Sequence, residues 1–431
     1  MQYIKKRDGR LVRFNRNKIT NAILSAFKEV DGEISNYAIE KANKIATYIE
    51  QLNTKDLLTV EEVQDMVERG LMSTKRKDVA RRYITYREER ARIRNWNTKM
   101  MDIVAEKLEA ANVQNQNANV DEYSFGGRRG EADSVILRQY ALDNLMSEMA
   151  RNNHLNNEIY IHDLDSYALG MHNCLSVPFD KLLAEGFDTR QTDVRPANSI
   201  NTAFQLVAVI FQLQSLQQFG GVSATHLDWT MVPYVRKSFY KHYIDGLKYI
   251  SQKTEMTIPV GIGDKTFKLE DLPKKTISKT SIDDKYIYND EKAYKYAMDM
   301  TTKETQQAVE GMYHNLNTLQ SRSGNQLPFT SINYGTCTLP EGRMIIKALL
   351  EGSIKGVGKL HKTPIFPCGI FQYMKGVNDK PGTPNYDLYK LALESTARRL
   401  YPNYANVDWS GNAGYDVNDP KTYFSTMGLA A

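Results

Sequence analysis

Short apolar segments alternate with long helical patterns through most of the chain after residue 130. PFTSINYG (328–335) and IFPCGIFQYM (365–374) predict buried strands, and EIYIHD (158–163) and MHNCLSV (171–177) predict shorter ones. The clearest helical patterns cover 199–215, 229–248 and 302–319. Because strands that alternate with helices usually belong to one layered domain, this order predicts an α/β fold over residues 131–431.

The first 95 residues have a different organisation and predict a small separate domain. Segments 3–7 and 10–14 have strand patterns on either side of Asp8-Gly9, a dipeptide typical of two-residue hairpin turns. Helical patterns follow, and they lie after a capping residue at Asn15, over 36–50, after a capping-box pair formed by Thr59 and Glu62, and over 79–96.

Residues 96–130 are predicted to link these two parts. The segment ANVQNQNANVDEYSFGGRR (111–129) is rich in Asn, Gln and Gly and has no periodicity, which is typical of a linker or an exposed loop. A second stretch, residues 264–290, is rich in Lys and Asp and predicts a surface excursion.

Composition and cysteine count narrow the function classes. The 431 residues are 41% hydrophobic with a net charge of +5, which is too mild by itself to indicate nucleic-acid binding. No apolar run is long enough for a membrane span, and the N-terminus lacks the apolar core of a signal peptide. The three cysteines form no CxxC pair, so we expect no zinc ribbon, no iron–sulfur site and a reducing, cytoplasmic location.

Cations crowd around the predicted hairpin and the start of the helix after it: Lys5, Lys6, Arg7, Arg10, Arg13, Arg16 and Lys18. Cations that face a helix N-terminus make a phosphate site, because both supply positive potential. A solvated basic face or a nucleic-acid-binding arm explains the same charges, and the charge pattern alone leaves these alternatives open.

Three segments of this part resemble the signature segments of the ATP-cone family: IKKRDGRLVRFNRNKI, VEEVQDMVERGLM and ARRYITYREERARIR. The resemblance implies that the hairpin and the following helix hold ATP or dATP. It carries over to Lys6, Arg7, Gly9, Arg10 and Lys18 as nucleotide-binding candidates. It also implies an allosteric switch in which ATP permits activity and dATP suppresses it, which fits feedback by a product of deoxynucleotide synthesis.

Most of residues 120–428 resemble the catalytic domain of class III, anaerobic ribonucleoside-triphosphate reductases. The segments that carry the resemblance are FGGRRGEADSVILRQYALDNLMSEMARNNHLNNEIYIHDLDSYALGMHNCLSVPFDKLL, RPANSINTAFQLVAVIFQLQSLQQFGGVSATHLDWTMVPYVRKSF and NLNTLQSRSGNQLPFTSINYGT. The resemblance implies a ten-stranded α/β barrel around a finger loop, of which residues 131–431 form the first portion. It also implies that a C-terminal glycyl radical generates a thiyl radical on a finger-loop cysteine. That thiyl abstracts the ribose 3′-hydrogen, while a second cysteine assists loss of the 2′-hydroxyl.

Cys174 in MHNC matches this second cysteine. A thiol suits the role because sulfur donates both a hydrogen atom and a proton. The alternative for any single cysteine is a buried small apolar residue. We adopt that alternative for Cys337 and Cys368, which match no catalytic cysteine.

Other catalytic candidates rest on the same resemblance. His162 and Asp163 end the EIYIHD segment and are active-site candidates, beside the alternative of structural residues. His172 and Asn173 alternate to the other strand face or to its end. GGVS (220–223) has two interpretations: backbone N–H groups that approach a substrate phosphate, or a packing turn.

The sequence departs from the family after DPKTYFSTMG. The family continues Met-Gly-Cys-Arg, whereas this chain has Met427-Gly428-Leu429. We therefore expect a truncated, split or interrupted product that lacks the thiyl cysteine, the zinc-binding cysteines and the glycyl-radical segment and is inactive alone. The implied partners are a ribonucleoside triphosphate substrate, a radical-SAM iron–sulfur activase, a second copy in a homodimer and a complementary C-terminal fragment, with neither membrane nor nucleic acid.

Two non-enzymatic function classes compete with this interpretation. A nucleotide-sensing transcriptional regulator with an ATP-cone would carry a zinc ribbon, whose paired cysteines this chain lacks. A nucleic-acid-binding module built on the basic hairpin would leave residues 120–428 unexplained. One half of a split reductase remains an open alternative within the enzyme class.

Overall fold

The computed structural model describes residues 3–7, 9–52, 57–109, 121, 123–170, 174–218, 220–261, 263–321, 325–409 and 414–427, without the side chains of residues 95–99. The chain divides into two compact units, Met1–Ile103 and Val104–Ala431. None of the described helices is both long enough and apolar enough to cross a bilayer.

The first unit joins a short antiparallel hairpin to a set of helices. Its elements are β1 (Tyr3–Lys5), β2 (Leu11–Arg13), α1 (Arg16–Asp31), α2 (Asn36–Leu52), α3 (Val60–Met72) and the part of α4 (Lys77–Glu109) up to Ile103. The apolar faces of these helices meet in one core, where Ile23, Phe27, Ile49 and Leu71 are fully buried. Each of these side chains contributes about 1.5–3 kcal/mol on burial.

The predicted helix starts of this unit are confirmed by their capping contacts. Asn15 precedes α1, and its side chain accepts the N–H of Asn17 at 3.0 Å. Thr59 and Glu62 form the predicted capping box ahead of α3, since Glu62 N–H donates to Thr59 Oγ1 at 3.2 Å and Thr59 N–H donates to Glu62 Oε2 at 2.7 Å. These local contacts satisfy backbone donors that the first helical turn leaves unpaired.

The hairpin loop is longer than the predicted two-residue turn. Lys6 N–H donates to the Arg10 carbonyl at 2.8 Å, so positions 7 to 9 form the loop. Gly9 N–H donates to the Lys6 carbonyl at 3.0 Å, and Gly9 has φ 82°, in the left-handed region that favours glycine. Asp8 itself lies outside the described residues. A three-residue loop with glycine at its last position explains why the Asp-Gly signal predicted the turn but not its length.

Much of the predicted linker over residues 96–130 is helical. α4 runs to Glu109, and the next described helix begins at Phe125. Ser124 caps that helix by accepting the N–H of Gly127 at 3.0 Å. This N-cap outweighs the low helix propensity of the two glycines that made the segment resemble a loop. Residues 110–120 of the predicted linker lie outside the described residues.

The second unit alternates strands and helices as predicted. Its elements are α5 (Phe125–Tyr140), α6 (Glu148–Leu155), β3 (Leu175–Ser176), α7 (Phe179–Glu185), β4 (Phe187–Asp188), β5 (Asp193–Val194), α8 (Ile200–Ser215), β6 (Val222–Ala224), α9 (Leu227–Thr230), α10 (Val232–Tyr249), β7 (Glu255–Pro259), β8 (Asp264–Lys268), α11 (Lys274–Ile277), α12 (Glu291–Thr318), β9 (Thr330–Tyr334), α13 (Pro340–Lys355), β10 (Cys368–Tyr373), α14 (Tyr386–Arg399) and β11 (Asn403–Asn406).

Five parallel strands form the main sheet of this unit, in the order β11-β10-β9-β6-β3. This confirms the predicted α/β class and the strands predicted from PFTSINYG and IFPCGIFQYM. The sheet of the described residues has five strands, half of the ten-stranded barrel that the family resemblance implies, and its place as the first portion of such a barrel remains a prediction.

The two faces of the sheet differ in polarity because side chains alternate along each strand. Ile332 and Tyr334 of β9 and Phe371 of β10 point to the face that is covered by α8, α10, α12 and α13. Ser331 and Asn333 point to the opposite face. That second face, called the polar face below, carries the side chains from which a site can be built.

Two predictions for this unit are wrong. EIYIHD forms turns and not a strand, because Asp163 has φ 54° and its carbonyl accepts the N–H of Ser166 at 2.9 Å. Residues 264–290 are not a simple surface excursion. They contain β8, which pairs with β7, and they bury Leu272, Ile277 and Tyr288 in a local core. The many Lys and Asp residues of this segment made it look like a surface loop, although its few apolar residues pack into the local core.

Candidate functional site

The basic hairpin of the first unit borders a cavity of about 470 Å³. Lys6, Arg7 and Lys18, three of the five predicted nucleotide-binding residues, line it. Gly9 and Arg10 lie in the hairpin loop and do not line the cavity. Most of the remaining walls are apolar and come from Ile4, Val12, Phe14, Ile19, Ala22, Val60, Val63, Val67 and Tyr83. Cationic and apolar walls together suit an anionic ligand that carries an aromatic ring.

Local structure explains why the cations meet at this cavity. Lys5 N–H donates to the Leu58 carbonyl at 2.9 Å, which fixes β1 beside the start of α3. α1 begins directly after the hairpin and has no acidic residue in its first turn, which carries Lys18. The N-terminus of α1 therefore adds its positive end to the side-chain cations.

One carboxylate of α3, that of Glu61, contacts a cation of this cavity, and this contact was not predicted from the sequence. Glu61 forms ion pairs with Arg7 of the hairpin and with Arg87 of α4. The hydrogen bonds from Arg87 and Arg7 hold the pKa of the Glu61 carboxyl below its ordinary value, against the opposing effect of burial. No local pattern signals the Arg7–Glu61 contact, since the two residues lie 54 positions apart.

In the second unit, Cys174 lies directly before β3 and contacts the turn before β6. Its Sγ accepts the N–H of Gly221 at 3.3 Å, and Leu175 N–H donates to the Gly221 carbonyl at 3.0 Å. Gln218 Nε2 holds the same carbonyl at 2.7 Å. Because the Gly221 N–H is directed at sulfur, the geometry favours the packing turn over a phosphate loop at GGVS. His172 and Asn173 lie outside the described residues.

Cys174 belongs to the edge of the polar face. Ser176, two residues further on, pairs with Ser223, which pairs with Ser331 on β9. Ser223, Ser331, Asn333 and Gln372 are fully buried. Within the described part of the chain, Ser331 Oγ and Gln372 Oε1 have no hydrogen-bond partner. The polar face is thus a row of buried polar side chains beside the Cys174 thiol, and two of these side chains have atoms that could accept or donate further hydrogen bonds.

The polar row also holds a segment near the C-terminal end of the described chain. Asn333 Nδ2 donates to the Thr426 carbonyl at 2.9 Å, and Gln372 Nε2 donates to the Phe424 carbonyl at 3.0 Å. Ser425 Oγ donates to the Thr225 carbonyl at 3.0 Å. The sequence analysis missed Asn333 and Gln372, although each is a polar residue inside an otherwise apolar strand pattern, and that interruption is the available signal.

His162 and Asp163 occupy exposed turns. The His162 side chain is 79% exposed, and its Nδ1 contacts the Asp163 carboxylate. The Tyr160 ring meets the His162 ring edge to face, with centroids 6.2 Å apart. The exposed position of the His162 imidazole adds nothing to the active-site prediction for these two residues.

The other two cysteines are core residues, as predicted. Cys337 is fully buried, Cys368 is 6% exposed, and burial raises the pKa of both thiols. Cys337 lies in a loop that Asp228 holds by accepting the N–H groups of Gly335, Thr336 and Cys337 at 2.9, 3.1 and 3.0 Å. Among the described residues, no three His, Cys, Asp or Glu side chains cluster as metal ligands.

Two family models match the chain, and they match the same two parts that the sequence motifs indicated. Residues 116–428 match the family model described as anaerobic ribonucleoside-triphosphate reductase. Residues 2–92 match the model of the ATP cone domain. Together these matches cover the hairpin cavity and the polar face.

Curated relatives give the same picture. The chain is 30% identical to the anaerobic ribonucleoside-triphosphate reductase of Haemophilus influenzae over 94% of its own length and 52% of that protein. The Escherichia coli enzyme of the same name is 30% identical over 94% of the chain and 51% of the relative. The chain therefore spans about half the length of the curated relatives it matches.

The anaerobic ribonucleotide reductase of Thermotoga maritima with dATP bound in the specificity site is 13% identical, covers 74% of the chain and 50% of its own, and has a TM-score of 0.44.

Proposed function

Because the chain belongs to the anaerobic ribonucleoside-triphosphate reductase family, we propose that its first unit binds a nucleotide effector and that its second unit supplies one thiol for ribonucleotide reduction. The substrate class is a ribonucleoside triphosphate, and the overall reaction replaces its ribose 2′-hydroxyl by hydrogen and releases water, with two electrons from an external reductant such as formate, which is oxidised to CO2. The alternative of a purely regulatory ATP-cone protein leaves the polar face with its thiol unused.

The hairpin cavity is the proposed effector site for ATP and dATP. Lys6, Arg7 and Lys18 supply three cations beside the positive end of α1, which suits a triphosphate. The apolar walls suit the adenine ring. Gly9 permits the tight loop that places Lys6 and Arg7 on one side, and Arg10 is kept as a candidate on the loop itself.

Cys174 is the proposed thiol of the second unit. Of the three cysteines it alone is not buried, and it lies at the edge of the polar face. Its S–H group would donate hydrogen during loss of the 2′-hydroxyl, as the family resemblance implies. The buried polar atoms on Ser331 and Gln372 support a polar reaction environment on this face. For His162 and Asp163 an active-site role remains a prediction that rests on the family resemblance alone.

The remaining partners are proposals from the family. They are a radical-SAM iron–sulfur activase, a second copy of the chain, and a polypeptide that supplies the finger-loop cysteine and the glycyl-radical segment. In the described residues β3 and β11 are edges of the main sheet, which supports the addition of further strands to complete a barrel.

Titration calorimetry of the whole chain with ATP and with dATP tests the effector proposal, which rests on the cationic cavity. We expect saturable binding of both nucleotides. Lys18→Ala should weaken both by loss of a charge-assisted phosphate contact of about 1–3 kcal/mol. Lys28→Ala, at the other end of α1, is the matched control and should bind normally. A folded chain that binds neither nucleotide would contradict the proposal.

A further inference from the structure

Arg7, a cation that is proposed to bind the nucleotide phosphates, already donates to two side-chain acceptors. Arg7 Nε forms an ion pair with Glu61, and Arg7 Nη2 donates to Gln64 Oε1 at 3.1 Å. Both acceptors are on α3, whereas Arg7 is on the hairpin. The planar guanidinium presents its N–H groups in a fixed fork that fits a carboxylate and a phosphate equally well. Arg7 has five N–H donors, and the ones that meet Glu61 and Gln64 are not open to a phosphate while these contacts last.

Glu61 is fixed independently of Arg7. Its Oε2 accepts Arg87 Nη2 at 2.8 Å. Arg87 also holds Asp65 at 2.6 Å and Glu68 at 2.8 Å, and its side chain is only 19% exposed. If a nucleotide phosphate displaced Glu61 from Arg7, Glu61 would stay paired with Arg87. The exchange would therefore leave neither Arg7 nor Glu61 without an oppositely charged partner.

We infer that Glu61 competes with the nucleotide phosphates for Arg7 and thereby sets the affinity of the hairpin cavity. This inference rests on the proposed effector function of the first unit. The Arg7–Glu61 pair is partly exposed, with side-chain exposures of 39% and 47%, so it is weak enough for a triphosphate to displace. It still lowers the apparent affinity, because a phosphate that takes the Arg7 Nε–H must displace Glu61, and any phosphate at Arg7 meets the negative charge of Glu61.

The competition predicts a specific pattern of nucleotide preference. ATP and dATP differ only at the ribose 2′ position, whereas Arg7 is proposed to meet the phosphates. Removing the Glu61 charge should therefore tighten both nucleotides by the same factor. A residue that reads the ribose would instead change the ratio of the two affinities.

The test is calorimetric titration of the whole chain and its Glu61→Gln variant with ATP and with dATP. Glutamine keeps an acceptor for Arg87 but removes the negative charge. We expect both dissociation constants to fall about two- to fivefold, the range that corresponds to an exposed ion pair of up to about 1 kcal/mol. Equal melting temperatures would establish that the variant is folded. Unchanged or weaker binding by a folded Glu61→Gln chain would overturn the inference.

Two further variants separate competition from a general charge effect. Glu68→Gln removes a carboxylate from the same helix and the same Arg87 but does not touch Arg7, so it should leave both affinities unchanged. In an Arg7→Ala background, Glu61→Gln should give no gain, because the contested donor is gone. A gain that persists without Arg7 would overturn the inference.

The two proposals fail in different ways. Absence of nucleotide binding in the unmodified chain would overturn the effector proposal. Normal binding without any effect of Glu61→Gln would overturn only the competition between Glu61 and phosphate.

Discussion

Asn333 Nδ2 donates a 2.9 Å hydrogen bond to the carbonyl of Thr426, a residue 93 positions further along the chain. On the adjacent strand, Gln372 Nε2 holds Phe424 and Ser425 at 3.0 and 3.2 Å. Two buried amides thus hold one backbone segment against the polar face. In the family that this chain belongs to, the matching segment is expected to lead toward the catalytic loop.

Loss of these amides should release that segment. In Asn333→Ala and Gln372→Ala chains, we expect faster amide hydrogen exchange over residues 420–427, with a stability loss of about 1–3 kcal/mol for each broken buried contact. Asn317→Ala is the control, because this amide holds the backbone of Ile365 and Phe366 instead. Exchange over 420–427 that is identical in all four chains would contradict the assignment.

A thiol reagent should distinguish Cys174 from the other cysteines. Cys337 and Cys368 are buried and their thiol pKa values are raised, so neither presents a reactive thiolate in the folded chain. We expect native maleimide labelling to add one label, which Cys174→Ser abolishes and Cys337→Ser leaves in place. Mass spectrometry of intact protein gives the count. Labelling that survives Cys174→Ser in a folded chain would count against the proposed site.

Asp228→Ala should be strongly destabilising. The fully buried carboxylate accepts three successive backbone N–H groups after β9, and alanine leaves all of them unpaired. A loss of about 3–5 kcal/mol is expected in the free energy of unfolding, measured with urea. Asp299→Ala, at an exposed position of α12, should change it by less than about 0.5 kcal/mol. Similar losses for the two variants would refute the structural role.

The contact between His242 and Glu304 should make the free energy of unfolding depend on pH in the acidic range. His242 Nε2 lies 2.8 Å from Glu304 Oε2, and although burial opposes it, the hydrogen bonds from His242 and Ser238 hold the pKa of Glu304 below its ordinary 4.5. A depressed carboxyl pKa contributes stability above pH 4.5 that is lost as pH falls through the folded pKa.

Glu304→Gln should therefore be less stable than the unmodified chain at neutral pH, by about 1 kcal/mol. The difference should shrink as the pH falls below 4.5. Urea unfolding across this range measures it, and Glu310→Gln on the same helix, which removes a partly exposed ion pair with Lys355, serves as the reference. A stability difference between the two chains that does not change with pH would mean that the charge of Glu304 does not contribute to stability.

A polypeptide of residues 1–431 should form no deoxynucleotide alone. The proposed chemistry needs a second thiol at the substrate, and Cys337 and Cys368 are buried core residues. The assay is anaerobic, with ribonucleoside triphosphate, S-adenosylmethionine, formate and an activase. Deoxynucleotide above a no-enzyme blank would refute the prediction, whereas activity only after adding a polypeptide with the finger-loop cysteine and glycyl-radical segment would support a two-piece enzyme.

Features with local determinants, or with family motifs, were predictable from the sequence. Asn15 and the Thr59–Glu62 pair contact backbone groups within three residues, so their caps were predictable. The turns of EIYIHD were not, because alternating polarity does not reveal the left-handed backbone at Asp163. The partners of Arg7 and Asn333 were not predictable either, because they lie 54 and 93 positions away and are brought close only by the tertiary fold.

The strand order β11-β10-β9-β6-β3 has a consequence for biosynthesis. Within the main sheet, the strands lie side by side in the same sequence in which the ribosome delivers them. Each new strand and its crossover helix therefore meet an edge that has already emerged, and no later segment must be inserted between two strands already paired. Growth of the sheet can be vectorial, which shortens the time for which any nascent edge stays open to pairing with another chain.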